Sequence, residues 1–416
     1  MHSFQTSRLV LNTSLPPIPV ARNWISLYSP RSANEPFIDV SQGVPRSGPP
    51  EILSVALADV AGSDEGSAYG PICGDAELHE LLVEEMKTVY SHNIDISTKD
   101  VALTAGCNLA FFATAMALAS FGDEIILPVP WYFNHQMSLQ MLGITIVPLP
   151  LWPHDEFLPS LNECAALITP RTRAIVLVSP NNPTGAIYPP ALLSSFAALA
   201  RSRQVALILD ETYRDFIIPT EASPVPHDLF HSSMWRSNVI HLFSFSKSYA
   251  IPGHRLGAII AAPSFLTLIS TVLDSIQICP PRAAQLALAR ESLLPKLRPY
   301  LKDTALALAH RHRLFRTTLQ GLDTPAPWIV RTSGAGYFAF VRHPFEGIRG
   351  EEVCRRLARD AGVLTLPATF FAPTAQPTIP GDEKRWLRVS VANVDDVQII
   401  AVATRMRAFS VSPEAL

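Results

Sequence analysis

The chain has 416 residues, of which 48% are hydrophobic and 17% charged, and its formal net charge is −3 at pH 7. A single hydrophobic core stops growing at roughly 250–300 residues, so this length predicts at least two packed units, and the apolar fraction argues against disorder over most of the chain. The 33 basic residues do not outnumber the 36 acidic ones. No excess positive charge is therefore available to attract nucleic acid or an anionic membrane surface, and we expect neither partner.

The cysteines and the start of the chain bear on the compartment. The five cysteines are widely spaced, odd in number and without a C-x-x-C pair, which favours a reducing, cytoplasmic compartment. The longest apolar stretch, residues 109–121, is shorter than the about 20 residues that a bilayer span needs. The first 34 residues contain three arginines and no acidic residue, but the proline-rich run 15–19 interrupts any amphipathic helix. We therefore predict an extended N-terminal arm, with an organellar transit segment as the alternative.

From about residue 100, short apolar runs alternate with helical patterns. Strands are predicted, in chain order, at Glu124–Leu127, Ile144–Pro148, Ala174–Val178, Val205–Leu209, Val239–Phe243 and Gly257–Ala261. Helical patterns are predicted at Leu109–Ser120, Pro190–Arg201, Ala283–Tyr300 and, continuing from it, Thr304–Leu319. Most of the strand runs are continuously hydrophobic, as in strands that are buried on both faces of a parallel sheet. The sequence therefore predicts an α/β domain with a mostly parallel sheet.

Two passages mark the edges of this large domain. One is the stretch Val44–Pro50, rich in Pro, Gly and Ser, and the other is the helical passage of residues 290–320. Strands at Gly336–Val341 and Leu387–Val391 are predicted in a smaller C-terminal unit. We expect residues 1–45 to form an arm and part of a small domain, 46–300 the large domain, and 301–416 the small C-terminal domain.

Polar side chains follow three neighbouring predicted strands, where each strand ends. Ligands of open parallel sheets bind at the carboxyl ends of the strands, so these residues are candidates for a site. They are Asn182, Asp210, Tyr213, Ser244, Ser246, Lys247 and, eight residues beyond the lysine, Arg255. Hydroxyl groups, an amine, a carboxylate and a guanidinium are thus predicted at one edge of the sheet.

Lys247 is the candidate nucleophile. The chain has six lysines against 27 arginines, and Lys247 directly follows a buried strand between two serines. A lysine in such a place is costly unless it is paired or used chemically. We favour an amine of lowered pKa that forms a Schiff base over a structural ion pair.

Four short motifs, in their order along the chain, resemble those of the class I and II aminotransferases, which are pyridoxal phosphate enzymes of fold type I. They are Asn182-Pro183-Thr184-Gly185, Asp210-x-x-Tyr213, Ser244-x-Ser246-Lys247 and Gly253-x-Arg255-x-Gly257. The resemblance extends from about residue 38 to 395. It implies an α/β fold with a large domain around a mostly parallel seven-stranded sheet, a small α+β domain built from both chain ends, and a homodimer with shared active sites.

The resemblance implies roles for residues around the cofactor ring. Lys247 would form the Schiff base with pyridoxal phosphate and move the proton of the substrate α-carbon, and Asp210 would keep the pyridine nitrogen protonated. Asn182 and Tyr213 would donate hydrogen bonds to the ring hydroxyl. Tyr132, rather than its neighbour Trp131, would stack on the ring.

It also implies where the phosphate and the substrate bind. The phosphate would lie at the start of a helix, because N–H groups and the helix dipole favour an anion there. Its contacts would be Gly106, Cys107, Asn108, Ser244, Ser246, Arg255 and, from the other subunit, Tyr69. The family often has a hydroxyl residue or alanine at the position of Cys107. Arg388, in a predicted small-domain strand, would bind the substrate carboxylate, and Gly43 would line the substrate pocket beside Asn182.

The implied function is transfer of an α-amino group from an L-amino acid to a 2-oxo acid by a ping-pong mechanism. The motifs include no second arginine for a distal carboxylate, which favours neutral or aromatic substrates, although Arg282 could meet a distal anion across the dimer. A carbon–sulfur β-lyase and an aminocyclopropane carboxylate synthase-like lyase remain alternatives, since they share the first steps. A non-catalytic cofactor-binding homologue is a minor alternative, and a nucleotide-binding dehydrogenase lacks its G-x-G-x-x-G motif.

One pair of histidines has the spacing of a metal-binding motif but follows two prolines. His227 and His231 have the spacing of helical metal ligands, but Pro224 and Pro226 precede them and no third ligand is evident. We therefore predict a surface loop here and no metal.

Overall fold

The computed structural model describes residues 4–29, 35–321, 328–373 and 383–411. The strands are β1 (Ile38–Asp39), β2 (Val101–Thr104), β3 (Glu124–Val129), β4 (Thr145–Pro150), β5 (Thr172–Val178), β6 (Ala206–Asp210), β7 (Val239–Ser244), β8 (Gly257–Ile260), β9 (Ile329–Arg331), β10 (Phe338–Arg342), β11 (Val363–Leu364), β12 (Leu366–Pro367) and β13 (Trp386–Ser390). The α-helices are α1 (Arg8–Leu11), α2 (Pro17–Arg22), α3 (Glu51–Ala61), α4 (Asp64–Ser67), α5 (Ala76–Tyr90), α6 (Cys107–Leu118), α7 (Phe133–Leu142), α8 (Leu161–Leu167), α9 (Pro190–Ser202), α10 (Phe245–Ser248), α11 (Pro263–Ile276), α12 (Arg282–Ala289), α13 (Leu293–Lys296), α14 (Arg298–Gln320), α15 (Gly350–Ala361) and α16 (Asp396–Ala408).

A seven-stranded sheet of order β2-β8-β7-β6-β5-β3-β4 forms the centre of the large unit. Strands β4, β3, β5, β6 and β7 are parallel, and β8 is antiparallel to both of its neighbours. Successive side chains of a strand pack into different hydrophobic clusters on the two faces of the sheet. In β5, Ile175 and Leu177 belong to one cluster, and Ala174 and Val176 belong to the other. This alternation places helices over both faces, which explains why the strand sequences are apolar throughout.

The six strands predicted in this sheet agree with β3 to β8 to within a few residues, and β2 was not predicted. The prediction of one helix over 283–300 that continues to 319 is wrong between residues 289 and 298. The chain forms three separate helices there, α12, α13 and α14. Glu291 and Ser292 take left-handed backbone angles, with φ of 49° and 53°, and a right-handed helix cannot continue through them.

A smaller unit is built from a segment before residue 45 and from the C-terminal part of the chain. Its antiparallel sheet has the order β12-β13-β10-β9, and β1 pairs in parallel with β11, so residues before 45 join the C-terminal part. Helix α14 passes through the expected boundary at residue 300 and extends to the small unit. The N-terminal arm is partly helical rather than extended, because Pro17 occupies the first turn of α2, where its fixed φ favours a helix.

Among the described residues, no helix is both long and apolar enough to cross a membrane.

Candidate active site

A cleft opens at the carboxyl ends of β5, β6 and β7. Because these strands are parallel neighbours, their last residues and the loops that follow lie side by side. The lining comprises Cys107, Asn108, Tyr132, Val178, Asn182, Asp210, Thr212, Tyr213, Ser244, Ser246, Lys247, Pro252 and Arg255. The structure therefore brings together most of the site residues that the sequence predicts.

Lys247 lies on α10, the short helix that follows β7. Ser244 caps this helix, its Oγ accepting a hydrogen bond from the Ser246 N–H at 3.3 Å. The Lys247 amine donates to the carbonyl of Gly43 at 2.6 Å. Burial, and then the positive charges of Arg255 and Arg388, lower the pKa of Lys247 to about 8. The unprotonated fraction of the Lys247 amine near neutral pH is therefore larger than that of an ordinary lysine.

Asp210 ends β6 and is buried at the base of the cleft. Its Oδ1 accepts hydrogen bonds from the backbone and hydroxyl of Thr212, at 3.0 and 2.7 Å, and its Oδ2 lies 3.2 Å from Nε2 of His135. Burial alone would raise the pKa of Asp210, but His135 and Thr212 together lower the pKa below its ordinary value. The carboxylate is thus held ionised and oriented.

Sequence reasoning missed the roles of His135 and Thr212. His135 stacks on Phe111, with ring centroids 3.9 Å apart, and this packing fixes its ring beside the carboxylate. The available signal was position, since His135 closes the segment Pro130–His135 at a strand end and Thr212 lies two residues after Asp210.

Arg388, on β13 of the small sheet, contacts the cleft lining through Asn182. Its Nη1 donates to Oδ1 of Asn182 at 2.9 Å, its Nη2 donates to the carbonyl of Ser41, and within the described residues its Nε has no hydrogen-bond partner. The rings of Phe338 and Phe371 lie 4.3 and 4.8 Å from the guanidinium carbon. Burial lowers the pKa of Arg388 to about 10, which still leaves the group charged at neutral pH.

Gly43 packs against Phe338, the same ring that faces the Arg388 guanidinium, and no larger residue would fit at this position. A Cβ atom there would lie 2.4 Å from Cζ of Phe338, closer than side-chain carbons approach. Its carbonyl is then free to face the Lys247 amine.

A cradle for an anion forms where α6 begins. Gly106 precedes the helix with φ of +88°, and a Cβ there would lie 2.0 Å from Nη2 of Arg255. A Cβ on Gly257 would lie 2.6 Å from the backbone N of Cys107. Arg255 also donates to Ser246 Oγ at 3.5 Å. The two glycines thus let a guanidinium and a helix N-terminus meet, an arrangement that suits a phosphate.

Cys107 contributes a neutral thiol rather than a hydroxyl. Burial raises the pKa of Cys107 well above its ordinary value, and its Sγ lies 3.6 Å from Thr212 Oγ1, whose hydrogen is donated to Asp210. The thiol therefore contacts the residue that orients Asp210.

Tyr132 and Trp131 have different surroundings. Tyr132 lines the cleft and donates to Oδ1 of Asn108 at 3.3 Å, whereas Trp131 is buried in the core and donates to Gln136 at 2.9 Å. Tyr213 is also buried in the cleft wall, where burial raises the pKa of its phenol. Tyr69 lies outside the cleft with 79% of its surface exposed.

Arg282 and the two histidines of the predicted loop lie away from the cleft. Arg282 pairs with Asp75 at 2.6 Å and with Glu65 at 3.5 Å. The expected surface loop at His227 is wrong for that residue, which is fully buried 3.2 Å from Oε2 of Glu211, while His231 is exposed. Among the described residues, no cluster of His, Cys, Asp or Glu could hold a metal ion.

Comparisons with known proteins agree with this geometry. A family model described as aminotransferase class I and II matches residues 35–406. A valine–pyruvate aminotransferase of Mycobacterium tuberculosis is 27% identical over 88% of this chain and 91% of that protein. An aromatic aminotransferase of Arabidopsis thaliana is 27% identical over 96% of this chain and 95% of that protein. The structure of an aspartate aminotransferase from Thermus thermophilus with maleate superposes with a TM-score of 0.82 at 23% identity, covering 97% of this chain and 99% of that one. The chain thus has the aspartate aminotransferase fold.

Proposed function

Since the chain belongs to the aminotransferase class I and II family, whose members depend on pyridoxal phosphate, we propose that it transfers the α-amino group of an L-amino acid to a 2-oxo acid by a two-step, ping-pong reaction. The observation that carries this proposal is a buried amine and a buried carboxylate, from Lys247 and Asp210, in one cleft, with the buried guanidinium of Arg388 bonded to Asn182 of the cleft lining. These are the groups needed to abstract an α-proton, to stabilise a cationic ring and to bind a carboxylate.

The residues of the cleft fit pyridoxal phosphate. The gap that Gly106 and Gly257 leave at the start of α6 provides N–H groups and the guanidinium of Arg255 for a phosphate. We assign Ser244, Ser246, Cys107 and Asn108 to the same phosphate, because all four line the cleft around that gap. Tyr132 offers an aromatic face for the ring, and Asn182 and Tyr213 offer donors for its hydroxyl.

Lys247 is the group that moves protons. When bound, pyridoxal phosphate supplies an aldehyde that condenses with amines and a ring that withdraws electrons from the substrate α-carbon. The Lys247 amine, with its pKa lowered to about 8, is suited to binding that aldehyde and then to removing and returning the proton of the α-carbon. The carbonyl of Gly43 orients the amine through the 2.6 Å hydrogen bond.

Asp210 holds a proton on the ring nitrogen. Its carboxylate stays ionised because His135 and Thr212 lower its pKa despite burial. An ionised acceptor stabilises a protonated, electron-withdrawing ring. His135 and Thr212 thereby support the reaction without contact with the substrate.

Arg388 binds the substrate carboxylate. Asn182 and the carbonyl of Ser41 hold its guanidinium plane, and the Phe338 and Phe371 rings exclude water from its faces. A charge-assisted pair in such a dry environment is stronger than one in water.

The preferred substrate is a neutral or aromatic amino acid. Phe371 belongs to an apolar cluster beside Arg388, against which Ile18, Trp24, Phe133 and Phe370 pack while only partly buried. The ion pair of Arg282 with Asp75 leaves that arginine engaged rather than free for a distal carboxylate. Both features favour an apolar substrate side chain over an acidic one.

We further propose a homodimer in the cytoplasm. Exposure of Tyr69 beyond the cleft fits a residue that serves the neighbouring subunit. All five cysteines are free, which suits a reducing compartment.

The test is spectroscopic. The purified protein is saturated with pyridoxal phosphate, its visible absorption band is recorded, and single amino acids are added without any oxo acid acceptor. We expect a stoichiometric loss of the band with release of one equivalent of oxo acid, greatest for aromatic and aliphatic donors, and its restoration by a 2-oxo acid.

Other outcomes identify other functions. If the band persists while ammonia, pyruvate or a thiol accumulates over many turnovers, the β-lyase alternative is correct. Absence of a bound chromophore would contradict the roles assigned to Lys247 and Asp210.

A further inference from the structure

The short helix α10 is held from two sides by side chains that lie outside it. On one side, Tyr337 donates its hydroxyl hydrogen to the backbone carbonyl of Lys247 at 3.2 Å. On the other side, Ser248 donates from Oγ to Oδ2 of Asp215 at 2.6 Å. The two contacts attach to the lysine itself and to the next residue, so together they fix the backbone from which the amine extends.

Tyr337 is anchored in the small unit. It directly precedes β10 of the small sheet, and the Gly336 carbonyl before it lies 3.1 Å from Nε2 of His312 on α14. Its ring is buried against Tyr213 and Phe216 of the large unit, with centroids 5.2 and 5.1 Å away. The phenol that reaches Lys247 thus extends from the small unit and packs against the large one.

Asp215 is anchored in the large unit. Nε of the buried Arg214 lies 3.3 Å from its Oδ1. Arg214 in turn donates to the hydroxyl of Tyr90 at 3.2 Å and lies over the Phe243 ring, 4.1 Å from its centroid. Separating the two charges would leave each of them buried and unpaired, which is costly. The ion pair with Arg214 therefore fixes the position of the Asp215 carboxylate.

We propose that Tyr337 and Asp215 are positioning residues that hold α10 from the small and the large unit and so direct the Lys247 amine into the cleft. This inference rests on the proposed function of Lys247. Neither side chain lines the cleft. Asp215 acts through the Ser248 side chain, and Tyr337 acts through the Lys247 carbonyl while its ring centroid lies 5.9 Å from the Lys247 amine.

Two single-hydroxyl deletions test the two contacts. Tyr337→Phe removes the bond to the Lys247 carbonyl, and Ser248→Ala removes the bond to Asp215 while leaving the buried pair of Asp215 with Arg214 intact. Ser194→Ala is the matched control for the second, because Ser194 donates to Asp228 at the same 2.6 Å elsewhere. Tyr28→Phe is the control for the first, because Tyr28 donates to the carbonyl of Glu35 at 2.7 Å.

The main readout does not require catalysis. The full-length apoprotein is acylated with acetic anhydride over a range of pH, and the modified fraction of Lys247 is measured by mass spectrometry with the other five lysines as references. The charged groups that lower the pKa of the amine are Arg255 and Arg388. The other titratable side chains around it are Cys107, Tyr132, Asp210 and Tyr213 in the cleft and Tyr337 beside it. The holoenzyme is measured in parallel for kcat and KM.

We expect the midpoint of Lys247 acylation to rise in both variants. A loosened helix admits water to the amine, which reduces the desolvation that lowers its pKa, so the midpoint should move by about half a unit or more toward the ordinary value of about 10.4. A misplaced amine should also lower kcat by about 10-fold or more with little change in KM. Both controls should match the wild type.

The alternative results are distinct. An unchanged midpoint and kcat in both variants, even with lower melting temperatures, would overturn the proposal, because the contacts would then serve stability alone. A shift in one variant only would retain that contact and overturn the other. If the wild type fails to transaminate, the proposed function is wrong, whereas the acylation result still reports on the positioning of the amine.

Discussion

Arg388 of the small sheet donates a 2.9 Å hydrogen bond to Asn182, in the loop that follows β5 of the large sheet. Asn182 lines the cleft assigned to the cofactor, and Arg388 is assigned to the substrate carboxylate. The bond therefore fixes the orientation of the substrate arginine relative to the cofactor site. A guanidinium can donate to Asn182, to the Ser41 carbonyl and to a substrate at once, because its donors project in a planar fork.

This arrangement predicts the effect of Arg388→Lys. Lysine keeps the charge but lacks the fork, so the carboxylate and Asn182 cannot both be bound in the same plane. We expect kcat/KM for the amino donor to fall about 10- to 100-fold, with the visible band of the holoenzyme retained. Initial rates over a range of donor concentrations measure this. The control is Arg331→Lys on the exposed side of β9, and an equal loss there would contradict the role of Arg388.

Replacement of the candidate nucleophile should be far more damaging. We expect Lys247→Ala to lower the transamination rate by at least about 10⁴-fold, because no other amine in the cleft can transfer the α-proton. The circular dichroism spectrum and elution volume should remain those of the wild type. The half-exposed Lys296, 4.0 Å from Glu291, provides the control variant Lys296→Ala. Retained transamination by Lys247→Ala would overturn the assignment of the site.

The phosphate cradle gives a prediction about cofactor affinity. In Gly106→Ala the new Cβ would meet the Arg255 guanidinium at 2.0 Å, in a backbone with φ of +88° that disfavours alanine. Strain of about 1–3 kcal/mol should weaken pyridoxal phosphate binding by about 10-fold or more. Titration of the apoprotein with the cofactor measures the dissociation constant. Gly253→Ala is the control, because a Cβ there meets nothing within 4 Å, and equal weakening in both variants would contradict the cradle.

The central sheet could be predicted because its strands are buried on both faces. Continuous apolar runs such as 174–178 have no helical competitor when they are short and bounded by turns. β2, only four residues long, pairs antiparallel with β8 at the edge of the sheet, and its sequence Val101-Ala-Leu-Thr gives too little pattern. The break between α12 and α14 was missed because left-handed angles at Glu291 and Ser292 are set by tertiary packing rather than by residue type.

The residues of the site also differ in how far the sequence predicts them. Residues at strand ends, such as Asp210 and Lys247, were predicted because position and chemistry coincide there. Arg388 and Gly43 required the family resemblance, since a strand arginine and a turn glycine are ambiguous alone. The side chains that contact these groups, His135 beside Asp210 and Tyr337 on the Lys247 carbonyl, come from distant segments, and their contacts emerge only from the fold.

A buried histidine predicts part of the pH dependence of stability. Burial, partly offset by the hydrogen bond to the Gly336 carbonyl, lowers the pKa of His312 from 6.5 to about 4. The unfolded chain therefore binds a proton between pH 6.5 and about 4 that the folded chain does not. The stability linked to His312 is complete above this window and falls with decreasing pH, by up to about 1.4 kcal/mol per pH unit.

We expect His312→Gln, which can still donate to Gly336, to have a smaller loss of melting temperature than the wild type between about pH 7 and about pH 5. Melting curves at both pH values measure it. His310→Gln alters a half-exposed histidine two residues away and should behave as the wild type. Parallel pH profiles for wild type and His312→Gln would show that His312 does not carry this linkage.

Tyr69 provides a test of the shared active site. Its phenol is 79% exposed and outside the cleft of its own chain, so a role at the phosphate requires the neighbouring subunit. Hybrid dimers of one Tyr69→Ala chain and one Lys247→Ala chain can be purified with two different affinity tags. If Tyr69 acts across the interface, one site of each hybrid combines an intact Lys247 with an intact Tyr69 from the other chain, and about half of the wild-type activity per dimer should return. If Tyr69 acts within its own chain, the hybrid should have no more than half the activity of an impaired Tyr69→Ala homodimer. If Tyr69 has no role, the Tyr69→Ala homodimer itself should match the wild type, which would contradict the prediction.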